Sequence, residues 1–257
     1  MKHFYMNKKF WKEIRKIIPH KKSKYRPRKS VKKVMRALFY ILRTGIPWKA
    51  LPKSFHVSTT TVHRRFQEWI KERVFYNFWK RILVRYQKKE CEMMKWIALD
   101  ASFSKAPLGG ESVGKSPVDR RKMGTKKHIC VDQNGIVIGI TVSGANRHDN
   151  IFAIETIKSF PIKLKNKLTI LAADTAYDAK STYKYLVKNN FIPLISKNKR
   201  KSKKNIPSIK SRHRWIVERT HSHLNSWRGI FIRWNKKVKN YVAAIQIAAT
   251  YYALRYL

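Results

Sequence analysis

The sequence predicts an α/β domain with a mixed sheet, preceded by an all-α domain of helix-turn-helix type, with the boundary near residue 92. Three observations carry this. Up to about residue 90 apolar residues recur at helical spacing. From residue 94 onward, short β-rich apolar runs alternate with amphipathic stretches, the pattern of strands interleaved with helices. And 59 Lys+Arg face 14 Asp+Glu, a net charge of +45, in a chain that is still 43% hydrophobic, so a folded core carries an overwhelmingly positive surface.

In the front part, Val31, Val34, Leu38, Ile41 and Leu42 mark a helix that stops at Thr44-Gly45-Ile46-Pro47. Next, Ser58 or Thr59 can cap a helix whose apolar face is Val62, Phe66, Trp69 and Ile70. The opposite face shows Thr60, His63, Arg64 and Gln67. A short helix, a turn and a second helix with small hydroxyl and basic residues near its start is the helix-turn-helix pattern, and a plain helical hairpin fits the segment equally. The net charge tilts the reading toward DNA contact.

After residue 92, MKWIALDAS (94–102) reads as a buried strand, and HICVDQNGIVIGITVSG (128–144) as a hairpin about Asn134-Gly135. A short helix over 151–160, a buried strand LTILAAD (168–174), a helical stretch 176–190 and a strand FIPLIS (191–196) follow. Residues 197–205, KNKRKSKKN, form a basic loop, and helices at about 212–230 and 240–257 close the chain. Residues 103–126 read as a Gly/Lys-rich loop.

Several function classes fall away. The first twenty residues have no apolar segment of signal-peptide type, and Tyr241–Leu257 is short for a bilayer span and holds Gln246 and Arg255. Two cysteines, Cys91 and Cys130, lie far apart with no ligand spacing, which suits a reducing cytoplasm, and the charge adds the expectation of a place on the nucleoid. Nucleic acid is the partner that so lopsided a charge fits.

With 14 acids in the chain, each is informative. Asp100 ends one apolar run, Asp174 ends another, and Glu218 adjoins Trp215, Ile216 and Val217; such placement is costly without a cation. The Asn-Gly hairpin reverses the second strand, which makes the first and third parallel. The crossover 150–160 should bring the fourth in parallel with the third. Asp100 and Asp174 then emerge at one sheet edge, while Asp132 belongs to the turn at the other and reads as structural. His148 and Asp149 reach the same edge as Asp100, with helix capping an equal reading for Asp149. Carboxylates at one edge are the hard oxygen ligands that Mg²⁺ or Mn²⁺ prefers, and paired ions about 3.5–4 Å apart cut phosphodiesters. Paired carboxylates also cut sugars, but the charge favours a phosphate polymer. For any one acid, a salt bridge to a neighbouring Lys or Arg is the plain alternative.

The segments LDASFSKAP (99–107), KSPVDRRKMGTKKHICVDQNG (115–135), SGANRHD (143–149), AADTAYD (172–178) and RHRWIVERTHSHLNSWR (212–228) resemble bacterial insertion-sequence transposases of the DDE type, insertion-sequence-five group. LRTGIPWKALP (42–52) and VHRRFQEW (62–69) resemble that group's amino-terminal DNA-binding region, so the likeness spans nearly the whole chain. It implies a ribonuclease H-like catalytic domain whose acidic triad is Asp100, Asp174 and Glu218, each a metal ligand. Asp174, Ala176 and Tyr177 fit the family's Asp, small residue, aromatic pattern. In the carboxy-terminal signature Arg214 and Glu218 fit, but Ser211 replaces Tyr and Asn225 replaces Lys, with Arg228 the nearest substitute. Arg214, four residues before Glu218, can orient that carboxylate or touch phosphate.

Gly109 to Ser116 satisfies the P-loop expression GxxxxGK[ST], yet no apolar run leads into Gly109 and Pro117 follows at once, so no strand–loop–helix is expected. The expected function is a metal-dependent DNA transposase with Mg²⁺ or Mn²⁺ that cleaves phosphodiesters and transfers strands to target DNA. A DNA-binding regulator or architectural protein is the alternative, and a P-loop nucleotide hydrolase a distant third. Double-stranded DNA, as element ends and target, is the expected partner, with at least a dimer on DNA and no membrane. Thr60, His63, Arg64, Gln67, Lys115, Arg120, Arg121, Lys126, Lys199, Arg200, Lys201 and Arg228 are the candidate DNA contacts.

Overall fold

The computed structural model describes residues 5–19, 27–89, 95–117, 119–164, 168–196 and 214–257. Four helices come first: α1 (Lys8–Ile14), α2 (Val31–Thr44), α3 (Thr59–Lys71) and α4 (Val74–Lys89). Helix α2 buries Val34, Leu38, Ile41 and Leu42 on one face and stops at Gly45, which adopts φ 68° and donates its N–H to the Ile41 carbonyl at 2.8 Å. Glycine is required there twice over, since a Cβ would also meet the Arg228 backbone carbonyl carbon at 2.8 Å. Two single 3₁₀ turns, Trp48–Ala50 and Lys53–Phe55, lead to α3. Ser58 caps α3 by accepting the Thr61 N–H at 3.3 Å. Val62, Phe66 and Trp69 are buried as the spacing predicts, and so is Arg65, which lies over the Trp69 ring at 5.3 Å. The first half of the expected helix-turn-helix is thus α2 plus two turns.

The sheet contains β1 (Trp96–Lys105), β2 (Gly114–Lys115), β3 (Met123–Asp132), β4 (Val137–Gly144), β5 (Thr169–Ala173) and β6 (Phe191–Ile195). Across its width the order is β4-β3-β1-β5-β6, with the short β2 also on β3. β3 runs antiparallel to both β1 and β4, whereas β1, β5 and β6 pair in parallel. One reversed strand in an otherwise parallel set is the mixed, ribonuclease H-like arrangement. The hairpin forms at Asn134-Gly135 with Gly135 at φ 80°.

Three expectations need correction. The strand after the crossover does run in the direction of β4, but it pairs with β1 on the far side of β3. A right-handed crossover can skip neighbours, and the length of the connection does not select between them. Residues 103–126 are not simply a loop: β1 continues to Lys105 and β3 begins at Met123, with β2 between them. The helix expected over 212–230 breaks into α7 (Arg214–Asn225) and α8 (Arg228–Phe231).

Helices α5 (Ala153–Lys158) and α6 (Lys180–Lys188) pack on one part of the sheet, α5 against β3 and β4 and α6 against β6. Helix α7 packs against β1 and β3, and α9 (Val238–Ala253) against β4. Helix α4 packs along α9, and the buried apolar residues on either side of residue 92 form one continuous cluster. Phe39 meets Tyr251 at 5.3 Å and Trp227 at 4.9 Å between ring centroids, and buried Trp79 donates to the Val137 carbonyl at 3.0 Å. Among the described residues no helix is long and apolar enough to cross a membrane.

Candidate active site

The parallel ladder between β1 and β5 ends with the pair Leu99 and Ala173. Asp100 and Asp174 are the next residues on the two strands, so backbone register alone sets them side by side. Leu99 and Ala173 are buried beneath them, while both acids keep partial solvent access. Asp100 is not at the end of β1, as its apolar run suggested. It sits where β5 leaves, with β1 continuing against β3 as far as Lys105. Beyond Ala173 the chain turns into a 3₁₀ segment, Thr175–Tyr177, and the Asp174 carboxylate accepts the Thr175 N–H at 2.6 Å.

That turn drives Tyr177 inward. Its side chain is buried, and among the described residues its hydroxyl has no hydrogen-bond partner. Burial pushes its pKa well up, and the carboxylates of Asp100, Asp149 and Asp174 add to the effect. The phenol therefore lies within the field of three carboxylates. Asp149 lies in the first turn of the 3₁₀ segment Asp149–Phe152, and its carboxylate accepts from Lys126 at 2.9 Å. Lys126 also donates to the Arg147 carbonyl at 2.9 Å, so this candidate DNA contact is tied into the 147–149 loop. His148 is exposed beside it.

Helix α7 supplies the third side. Glu218 is exposed on α7, and Arg214 opens the helix. One turn after Glu218, His221 is buried with its Nε2 3.9 Å from Asp100 Oδ2. Among the described residues no three His, Cys, Asp or Glu side chains lie close enough to hold an ion between them. The structure thus joins Asp100 to Asp174 and leaves Glu218 one turn along α7 from the residue that faces Asp100. The two adjacent carboxylates are hard oxygen donors of the kind a divalent cation takes.

Asp132 is structural, as read. Fully buried, it accepts the Tyr86 hydroxyl at 2.6 Å, the Asn134 N–H at 3.0 Å and the Ile136 N–H at 2.8 Å. The P-loop motif is a decoy: Lys115 lies in β2, no helix follows it, and Gly109 and Gly110 have φ of 63° and 126°. Gly110 needs its missing Cβ, which would run into the Lys236 carbonyl.

The family described as "Transposase DDE domain" matches residues 93–253. The chain belongs to the DDE transposase family. Its front part separately matches the family described as "Putative transposase of IS4/5 family" over residues 6–79. A curated relative, "Putative transposase for insertion sequence element IS402" of Burkholderia cepacia, is 28% identical over 145 residues, 54% of this chain and 67% of the relative. Among solved structures, a piggyBac transposase synaptic complex with hairpin DNA aligns at TM-score 0.43 and 11% identity, over 98% of this chain and 73% of that one. A Mos1 transposase paired-end complex with left transposon end aligns at TM-score 0.29 and 16% identity, covering 69% of this chain and 61% of that one. The chain therefore spans about three fifths of that Mos1 chain.

In this DDE transposase the remaining candidates divide by exposure. Thr60, His63 and Arg64 are exposed on α3, with His63 edge-on to Trp48 at 5.0 Å, while Gln67 is half-buried. Lys115, Arg120 and Arg121 are exposed around β2 and the turn after it, and Arg228 is exposed at the start of α8. Lys199, Arg200 and Lys201 lie outside the described residues. Sequence reasoning missed the buried His221 and the fully buried Lys127, whose amine donates to Ser102 at 3.2 Å and Ser104 at 3.0 Å. No local pattern marks either residue as enclosed, since both lie in segments rich in basic residues.

Proposed function

We propose that this chain binds the ends of its DNA element, cuts phosphodiesters there and joins the freed ends to target DNA, with Asp100, Asp174 and Glu218 as the acids of the reaction. The observation that carries this is the parallel ladder that stops at Leu99 and Ala173 and leaves two aspartates adjacent at its end. Asp100 and Asp174 would hold a divalent cation, Mg²⁺ or Mn²⁺, with Glu218 brought in from α7. The cation supplies activation of the attacking hydroxyl and charge neutralisation at the scissile phosphate. The protein's own work is positioning. Ala98, Leu99, Ala172 and Ala173 form the buried floor that fixes the two carboxylates. The Thr175 N–H fixes the rotamer of Asp174, and the Tyr177 side chain is buried within the field of the same carboxylates. The exposed face of α3 would read the element end, while Lys115, Arg120, Arg121 and Arg228 would neutralise backbone phosphates. Lys199, Arg200 and Lys201 would join them. Two element ends have to be brought together, so the working unit on DNA is at least a dimer.

The test is cleavage of DNA carrying the inverted repeats that flank the gene, with Mg²⁺, for wild type and Asp174→Ala. Wild type should cut, and the variant should bind with unchanged affinity and cut at least about a thousandfold more slowly, the scale of losing an essential catalytic group. Binding by both with cleavage by neither would overturn the enzyme and establish a DNA-binding regulator.

A further inference from the structure

A cavity of about 380 Å³ opens in the helical layer, lined by Tyr5, Lys33, Arg36, Ser54, Phe55 and His56. It shares no residue with the carboxylate site, and none of the 14 acids of the chain lines it. Lys33 and Arg36 are three apart on α2, so their like charges meet on one face of the helix, a destabilising pair when nothing answers it. Among the described residues neither has an ion-pair partner. The walls are aromatic. Tyr5 is 44% exposed. Tyr40, one turn after Arg36, meets Tyr5 at 5.9 Å and Phe55 at 5.0 Å between ring centroids and so braces both. His56 ends the 3₁₀ turn Lys53–Phe55 at φ 52°, a left-handed conformation that a residue other than glycine holds at a cost. We propose that this cavity is a nucleotide site, taking a phosphate on Lys33 and Arg36 and a base against the rings of Tyr5 and Phe55.

Simpler occupants use only part of this lining. A backbone phosphate passing over the surface is met by Lys or Arg alone and gains nothing from a recess or from exposed rings. An apolar molecule leaves the two cations unanswered. A nucleotide engages both, through its negative phosphate and through the aromatic face that every base offers, so the site is tolerant of base identity. The volume lies in the ordinary range of small-molecule pockets, roughly 300–1,000 Å³. Bases inside a duplex are stacked on their neighbours and present no free face, so the occupant is unpaired, either a free nucleotide or one nucleotide of a single strand. Position favours the strand. His56 lies two residues before Ser58, the cap of α3, so the cavity borders the start of the helix proposed above to read DNA. The inference rests on that reading for the source of the nucleotide only.

Photo-cross-linking tests this on the full chain. The probes are 5-iododeoxyuridine monophosphate alone, a short single strand carrying one 5-iodouracil, and the same strand paired in a duplex. Each is irradiated with wild type, and the labelled residue is mapped by mass spectrometry. Affinities are measured alongside for Tyr5→Leu and Tyr5→Phe, two changes that leave the charge untouched. The single strand should label Tyr5, Phe55 or His56, and the duplex should not. Tyr5→Leu should weaken single-strand binding at least about tenfold, the scale of losing one base–ring stack, and Tyr5→Phe should bind as wild type does. The labelling arm needs no substitution, so a poorly folded variant does not stall the test. Labelling of the cavity by the monophosphate but not by the strand would uphold the site and assign it to a free nucleotide. Labels only outside the cavity, or binding of monophosphate and strand indifferent to Tyr5→Leu, would overturn the site and leave duplex reading by α3 standing. A chain that binds none of the three probes would overturn both.

Discussion

Asp132 and Lys127 show how differently single charged side chains are accommodated inside this fold. Asp132 is fully buried but answered by a phenol and two backbone N–H groups. Replacing it with Ala leaves the Tyr86 hydroxyl and both amides unsatisfied. Asp132→Ala should therefore lose about 3 kcal/mol of stability, visible as a lower denaturation midpoint. Lys127 has two serine hydroxyls for its amine, and burial pushes its pKa down to about 7. In the unfolded chain a lysine keeps its proton to about pH 10.4. Between roughly pH 7 and 10 the unfolded state thus binds the extra proton, and this residue makes stability rise with pH across that window. Below pH 7 both states are protonated, and the fold carries the full cost of a buried ammonium. Lys127→Met should melt higher than wild type at pH 7 or below, with the gap closing as pH approaches 10. A gap that stays constant with pH would contradict the buried, shifted amine.

At the scale of elements, the segment 106–122 between β1 and β3 is fastened rather than loose. Arg233 is fully buried and donates to the carbonyls of Glu111 at 2.7 Å, Lys236 at 2.9 Å and Asn235 at 2.8 Å, and to the Thr125 hydroxyl at 3.1 Å. The Glu111 carboxylate accepts the Val238 N–H at 2.8 Å, answering one of the open donors at the start of α9. The basic turn carrying Arg120 and Arg121 is thereby anchored through its own base. Arg233→Met keeps the volume and removes the donors from the Glu111 and Asn235 carbonyls, while the Lys236 carbonyl keeps only the Glu111 N–H. It should cost about 3 kcal/mol or more and make the chain sensitive to trypsin at Arg120 and Arg121, read by limited proteolysis. How much of this the sequence disclosed follows a pattern. The α3 cap, the Asn-Gly turn and the shared edge of Asp100 and Asp174 were legible because each depends on local geometry and strand direction. The neighbour of β5 was not, because strand direction does not fix adjacency. Arg65, Lys127, His221 and Arg233 were not either: in a chain with 59 Lys+Arg, a base reads as surface, and only tertiary packing shows which ones are enclosed.

For the whole molecule, a compositional boundary near residue 92 does not divide the core. Phe10 and Phe39 pack on Tyr251, Phe39 on Trp227, and Tyr86 closes the β3–β4 turn through Asp132. A fragment of residues 1–92 would expose the faces of α2 and α4 that α8 and α9 cover. Expressed alone, it should lack a cooperative thermal transition and bind a dye specific for exposed apolar surface, whereas the full chain should unfold in one step. Two resolved transitions in the full chain would contradict this. The placement of α9 also sets an order of events during synthesis. The helix that joins α3 and α4 to the sheet comes after both aspartates and after Glu218 in the chain. On a ribosome, the helical layer and the sheet thus reach their final docking only after Val238–Ala253 has been made, and the helix face and the acids proposed above take up their setting together.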